Sequence, residues 1–190
     1  MAAALEIKVY GLVQGVGFRP FVHRIAHLHR LRGWALNAND CVHIRVEGEP
    51  GNLEAFLESL ESGPPPLAHI EQVDTREVPE ENFDDFRILE SRDSSSTVTR
   101  VSPDLAVCDE CLADIFDGGR RALYPFTNCT NCGPRFSIVK ALPYDRTATT
   151  MNVFPMCGEC RGEYDDIGRR RYHAQPNACP ACGPHYELWI

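Results

Sequence analysis

The sequence has no apolar run approaching the roughly 18 residues of a membrane span. Its start, Met1-Ala2-Ala3-Ala4-Leu5-Glu6, has neither the basic opening nor the apolar core of a secretory signal. A cytoplasmic protein with no membrane partner is the expectation. Basic charge is also in short supply: 19 Lys and Arg face 27 Asp and Glu, for a formal charge of −8, split as −7 over residues 1–91 and −1 over residues 92–190. Neither half supplies the basic stripe that a phosphodiester backbone requires, so a nucleic-acid partner is not expected. No Lys-Ser/Thr pair follows a glycine-rich loop, which excludes a P-loop for nucleotides. Cysteine is nearly missing from the first half, where Cys41 is the only one of nine. That half must therefore be held by an apolar core, whereas the second half has cysteines to spare.

The pattern in the first half is that of a small α+β unit. Residues 5–10 alternate apolar and charged side chains, the period of a half-buried strand. Val13-Gln14-Gly15-Val16-Gly17-Phe18-Arg19-Pro20 follows as a glycine-punctuated turn. Phe21, Val22, Ile25, Leu28 and Leu31 then recur at helical spacing to about Arg32, with Gly33 as the stop. Residues 34–37 and 42–47 read as two strands around a polar turn at 38–41, and Pro50 opens a second helix that ends at Gly63. Ile70, Val73 and Val78 mark a fourth strand, and Phe86 to Leu89 a last one. This order predicts a ferredoxin-like fold, an antiparallel sheet with two helices on one face, with the glycine turn at a sheet edge.

Two readings of that turn stand at this stage. Gly15 and Gly17 let successive N–H groups face one concavity at a helix N-terminus, and Arg19 adds a planar cation, a combination suited to phosphate or carboxylate. Alternatively the glycines only shape a tight turn and Arg19 is solvated. Residues 92–107 begin polar and aperiodic, with Ser94-Ser95-Ser96-Thr97, and read as a linker. They separate residues 1–91 from a cysteine-rich unit at 108–190.

That unit contains an internal repeat, 108–134 and 157–184. Cys108-x2-Cys111 and Cys129-x2-Cys132 recur as Cys157-x2-Cys160 and Cys179-x2-Cys182, at an offset of 49 residues that becomes 50 after one insertion. Paired Cys-x2-Cys knuckles at this spacing point to two structural zinc sites, with redox pairs and iron–sulfur centres as poorer fits. The knuckles can pair sequentially, Cys108 to Cys132 and Cys157 to Cys182, or interleave. Four thiolates complete each site, so His173 and His185 are not needed as ligands. His23 and His27 lie one helical turn apart with no third ligand evident, the pattern of a surface or packed pair. Arg120-Arg121 and Arg169-Arg170, each after a glycine, read as plain surface charge in matching positions of the two copies.

Val13-Gln14-Gly15-Val16-Gly17-Phe18-Arg19 closely resembles the signature loop of acylphosphatases, and Gly33-Trp34-Ala35-Leu36-Asn37 resembles their second motif. The tandem cysteine units, with Arg169-Arg170-Arg171-Tyr172-His173-Ala174-Gln175-Pro176, make the whole chain resemble the N-terminal portion of the HypF family of carbamoyltransferases, which mature nickel–iron hydrogenase. The resemblance implies hydrolysis of an acyl phosphate, carbamoyl phosphate above all. It gives phosphate binding to Gln14, Gly15, Val16, Gly17, Phe18 and Arg19, positioning of the attacking water to Asn37, and no metal to that site. It also implies other hydrogenase-maturation proteins, or further domains of a longer polypeptide, as partners. The rival is a scaffold that grips anions without turning them over. Two departures matter: Cys41 stands where acylphosphatases usually have glycine, which implies a strained turn if that position needs a left-handed backbone. The family also continues into nucleotide-binding and carbamoyl-transfer domains, so this chain alone is not expected to make carbamoyl adenylate.

Overall fold

A computed structural model describes residues 3–38, 40–91 and 104–189, so the predicted linker lies largely outside the described residues. Strands β1 (Ala3–Leu12), β2 (Arg32–Asn37), β3 (Val42–Gly48), β4 (His69–Val78) and β5 (Phe86–Ile88) form one sheet in the order β4-β1-β3-β2-β5. β1 is flanked antiparallel by β3, with Ile7 opposite Ile44, and by β4, with Val9 opposite Val73. β2 continues the antiparallel pattern on β3, with Ala35 opposite Ile44.

β5 instead runs parallel to β2, with Trp34 opposite Arg87, so the sheet is mixed. The cause is topological. β4 occupies one edge, and the chain must cross the end of the sheet to reach the other edge, where it arrives running the same way as β2. The crossing is pinned by Glu47, a 1 % exposed residue on β3 whose carboxylate accepts the N–H groups of Glu81 (3.0 Å), Asn82 (3.2 Å) and Phe83. The strand alternation reads Glu47 as a solvent-facing charge, and nothing local reveals that a later loop will bury it.

Helices α1 (Phe18–Leu28) and α2 (Pro50–Ser62) both bury their apolar stripes in one core. Phe18, Phe21, Val22 and Ile25 from α1 and Leu53, Phe56 and Leu60 from α2 meet Ile7, Val9, Ile44, Val46 and Phe86 from the sheet. Burying each such side chain is worth about 1.5–3 kcal/mol, which makes this core self-sufficient without cross-links. α1 stops earlier than its periodicity predicts. Arg30 takes a left-handed backbone (φ 54°), and its N–H and that of Leu31 close on the carbonyls of His27 and Ala26. Gly33 is not the stop but part of β2, where a Cβ would lie 2.0 Å from the Arg45 carbonyl oxygen.

The cysteine-rich half carries two short helices, α3 (Asp109–Phe116) and α4 (Gly158–Asp165), each beginning just after the first cysteine of its repeat. The copies share a local turn. Leu123 (φ 58°) donates its N–H to the Ile115 carbonyl, and His173 (φ 53°) donates to that of Tyr164. The stretch between the copies, residues 133–156, folds through short 3-10 turns and a single bridge between Val139 and Thr149.

Candidate active site

The glycine turn lies at the end of β1, an inner strand, rather than at a sheet edge. Gly15 (φ 75°) and Gly17 (φ 77°) both hold left-handed backbone, and α1 starts immediately after them. The opening N–H groups of a helix have no intrahelical acceptors. Among the described residues no backbone carbonyl takes those of Gly15, Val16, Gly17 or Phe18. Four donors are thereby left at the positive end of the helix. Arg19 projects from the first turn, and its side chain is 8 % exposed.

Asn37, at the end of β2, lines the same pocket as Gly15, Gly17 and Arg19. It is 1 % exposed, and its Oδ1 has no hydrogen-bond partner among the described residues. A buried amide oxygen without a donor costs about 1–3 kcal/mol, and a bound molecule with an O–H or N–H relieves it. The Gln14 side chain also has a structural role. Its Nε2 donates to the Ala38 carbonyl (2.6 Å) and its Oε1 accepts from the Tyr144 N–H (3.2 Å), tying the β2–β3 turn to the second half of the chain. The turn itself closes by the Ala38 N–H on the Cys41 carbonyl, 2.9 Å. Cys41 does not have a left-handed backbone, so the expected strain is not there. Its thiol is buried, and burial together with the neighbouring Asp40 pushes its pKa up to about 12.

The cysteine-rich half closes over this pocket. Asp145 makes an ion pair with Arg19 (Nη2 to Oδ1, 3.0 Å), and Asn37 Nδ2 lies 3.5 Å from the Tyr144 carbonyl. Opposite Gly15, a Cβ would come within 2.8 Å of Pro134 and 3.0 Å of the Tyr144 ring. His173 and Gln175 complete the wall. Burial, reinforced by the positive charge of Arg19, lowers the His173 pKa to about 4, so its imidazole is neutral at pH 7.

The eight remaining cysteines form two clusters. Cys108, Cys111, Cys129 and Cys132 make one and Cys157, Cys160, Cys179 and Cys182 the other, with all sulfur atoms of a cluster within 4.8 Å of one another. Pairing is therefore sequential, not interleaved, and neither His173 nor His185 joins a cluster. Sulfur separations of 3.3, 3.7 and 3.8 Å in the first cluster and of 3.6, 3.8 and 3.8 Å in the second are close to those around one tetrahedral ion. With zinc–sulfur bonds of about 2.3 Å the tetrahedron edge is about 3.8 Å.

Arg120, Arg121 and Arg170 are not the surface charge that the sequence suggests, whereas Arg169 is. Arg120 Nη1 from the first repeat lies 3.1 Å from Cys160 Sγ of the second, and Arg121, 4 % exposed, binds Glu163, Asn177 and the Ala178 carbonyl there. The second repeat returns the gesture. Arg170 Nη1 lies 2.8 Å from Cys111 Sγ, while Arg171, 6 % exposed, binds Asp114 and the Asn128 carbonyl. Four thiolates around a divalent ion leave two negative charges, and each repeat neutralises those of its neighbour. Burial alone would raise the Glu163 carboxyl, but the hydrogen bonds and charges of Arg121, Arg171 and Arg120 hold it at about 2. The functional match is thus Arg120-Arg121 with Arg170-Arg171, which places the insertion before the pair. Arg169, the partner that sequence alignment gives to Arg120, is 68 % exposed and contacts only Asp166 by a salt bridge.

Residues 5–88 match the acylphosphatase family, and the acylphosphatase of Leuconostoc mesenteroides subsp. mesenteroides is 42 % identical over 86 residues, which cover 96 % of its length. The chain belongs to the acylphosphatase family. Residues 107–139 and 156–189 each match the HypF finger, so an acylphosphatase unit is followed by a finger pair, the N-terminal arrangement of HypF. The carbamoyltransferase HypF of Rhodobacter capsulatus is 50 % identical over 188 residues, 98 % of this chain and 25 % of that protein. A full-length HypF solved in a phosphate- and nucleotide-bound form superposes with a TM-score of 0.92 at 47 % identity, over 97 % of this chain and 25 % of its own. The HypF of T. kodakarensis gives a TM-score of 0.81 at 51 % identity, over 95 % and 23 %. The chain thus spans about a quarter of the length of its HypF relatives. Among the described residues no helix is long and apolar enough to cross a membrane.

Sequence reasoning names Gln14, Gly15, Val16, Gly17, Phe18, Arg19 and Asn37, of which Gly15, Gly17, Phe18, Arg19 and Asn37 line one pocket. It misses Tyr144, Asp145, His173 and Gln175, which reach the acylphosphatase pocket from more than 100 residues away. Tyr144 and Asp145 lie between the finger copies and His173 and Gln175 inside the second copy, and nothing local in the sequence ties either stretch to the glycine turn.

Proposed function

We propose that the chain hydrolyses an acyl phosphate, carbamoyl phosphate, at the pocket formed by the Gly15–Arg19 turn and Asn37, as the phosphate-releasing module of a carbamoyltransferase that matures nickel–iron hydrogenase. The observation that carries this reading is the orphaned Asn37 Oδ1, buried beside a helix-terminal array of N–H donors and a nearly enclosed arginine. The donors and Arg19 hold the phosphoryl oxygens, and because they preexist the reaction they stabilise the charge spread over those oxygens without reorganising. Asn37 Oδ1 accepts a hydrogen bond from the attacking water. The water oxygen bonds to phosphorus as the bond from phosphorus to the acyl oxygen breaks, giving carbamate and inorganic phosphate, and the proton of the water leaves on the phosphate. The cradle presents N–H groups, which bind anions rather than cations, and the reading gives it no metal.

Each finger cluster holds one structural zinc ion, which supplies folding energy that so short a repeat cannot gain by burial. Four thiolates close the coordination shell and leave no position for substrate. Reduced thiolates fit a cytoplasmic protein, and further domains or other maturation proteins receive the carbamate.

Phosphate release from carbamoyl phosphate tests the reading. Arg19→Ala is expected to lower kcat/KM by about 10²–10³, the usual cost of one such donor. Asn37→Ala should reduce kcat while changing KM only a few-fold. Equal rates for wild type and Arg19→Ala would refute the assignment.

A further inference from the structure

Arg19 is the only arginine or lysine lining the cradle pocket. An arginine in the first turn of a helix keeps its rotamer freedom unless a partner holds its fork. Among the described residues no carboxylate of residues 3–91 pairs with it, and its one side-chain hydrogen bond runs from Nη2 to Asp145 Oδ1, at 3.0 Å. Asp145 reaches it from outside the cradle. Arg19 lines both the cradle pocket and a neighbouring cleft, whereas Asp145 lines only the cleft, so the carboxylate holds the guanidinium without entering the phosphate seat. A guanidinium has five N–H donors in a rigid fork, and a bond through Nη2 restrains the fork while leaving other donors for phosphoryl oxygens.

The segment that carries Asp145 is itself fixed on both sides. On one side the Tyr144 N–H donates to Gln14 Oε1 in the acylphosphatase half (3.2 Å). On the other, Arg146 is tied to four acceptors. Its N–H donates to Gln175 Oε1 (2.8 Å), its Nη1 to the carbonyls of Gln175 (2.6 Å) and Asn177 (3.0 Å), and its Nη2 to that of Phe154 (2.7 Å). The Asp145 carbonyl accepts the Ala148 N–H at 2.8 Å and so starts the next 3-10 turn. With both neighbours held, the Asp145 carboxylate is a rigid stop for Arg19.

We propose that Asp145 is a positioning residue: it holds the Arg19 guanidinium ready for the phosphoryl group, so that the finger half completes a site whose chemistry lies in the acylphosphatase half. The inference rests on the acyl phosphate reading of the cradle. A donor that is already aimed stabilises the transition state without reorganising, whereas a loose arginine must be ordered in every turnover.

The test is a double-mutant cycle in the full zinc-loaded chain, read as phosphate release from carbamoyl phosphate. Asp145→Ala should lower kcat/KM by about 30-fold, the size of an arginine's restored rotamer freedom, and Asp145→Asn, which keeps an acceptor without the charge, by about 5-fold. In an Arg19→Ala background Asp145→Ala should cost less than about 2-fold, because nothing is left to position. Added guanidinium chloride should restore part of the activity of Arg19→Ala and none of that of the double variant, since Asp145 seats the free cation. Hydrogen exchange at the Tyr144 N–H, which is bonded across the two halves, should stay within a few-fold of wild type in Asp145→Ala. Equal cost of Asp145→Ala in both backgrounds, or no cost in either, overturns the positioning role. Faster Tyr144 exchange alongside the lost activity also overturns it, because Asp145 would then only dock the halves. Each of these results leaves the acyl phosphate reading intact. Absence of phosphate release by wild type removes that reading, and the positioning role falls with it.

Discussion

Replacing Arg121 by alanine should loosen the finger that does not contain it. The guanidinium is buried across the repeat boundary, donating to the Ala178 carbonyl at 2.8 Å, to Asn177 Oδ1 at 2.9 Å and to Glu163 Oε1 at 3.0 Å. Glu163 would not be abandoned, because Arg120 and Arg171 remain 2.7 and 3.6 Å from its carboxylate. The cost falls on the two neutral acceptors, both in the second finger, and on the lost charge beside its thiolates. At about 1–3 kcal/mol for each acceptor left unpaired, the second finger should lose about 3 kcal/mol. Arg169→Ala removes the same charge from an exposed site with one surface partner and should cost at most about 0.5 kcal/mol. The assay is alkylation of the zinc-loaded protein during a chelator challenge, with each cysteine followed by peptide mass. In Arg121→Ala, Cys157, Cys160, Cys179 and Cys182 should react about 10²-fold faster than in wild type, the equivalent of 3 kcal/mol, while the first cluster changes far less. Arg171→Ala should show the mirror image, exposing Cys108, Cys111, Cys129 and Cys132. Earlier reaction of the cysteines in the substituted repeat itself, or behaviour of Arg121→Ala like that of Arg169→Ala, would refute the reciprocal clasp.

Acid should destabilise the closed pocket through His173, which faces Arg19, Asp145 and His23 and packs against the Tyr164 and Tyr172 rings. Between its ordinary pKa of 6.5 and the folded value of about 4 the unfolded chain takes up a proton that the folded chain refuses. Stability is therefore full above that window and falls by about 3 kcal/mol as pH drops through it. His173→Asn, whose side chain suits the left-handed backbone there, should flatten the slope of denaturation midpoints between pH 6.5 and 4 relative to wild type; parallel slopes would count against the buried neutral imidazole. Glu47→Leu should cost about 3 kcal/mol in urea unfolding, because three N–H groups of the crossing loop lose their acceptor, whereas Glu77→Leu on exposed β4 should cost less than about 0.5.

What the sequence shows and hides here follows from the range of the forces. The strands and helices of the first half are legible because each buries a stripe with its own period, and the glycine turn is legible because two positive φ values at that spacing suit glycine. The cysteine sites are legible because ligand spacing is local; their sequential pairing is not, since both pairings satisfy the same four knuckles. Arg121 and Arg171 look like solvated charges until the finger across the boundary supplies their partners. Glu47 is hidden for the same reason, as is the parallel direction of β5. Asp145 is the furthest out of reach: it lies 126 residues from Arg19, and only the closure of one half on the other brings the two together.

Hydrolysis of carbamoyl phosphate in water enriched in oxygen-18 tests the central claim most directly, because it reports which atom the water attacks. The expected result is enzyme-dependent inorganic phosphate that carries one oxygen-18 atom, produced by wild type and about 10²–10³-fold less efficiently by Arg19→Ala. Enzymatic phosphate free of the label would mean attack at the carbonyl carbon and would contradict a cradle built to receive the phosphoryl group.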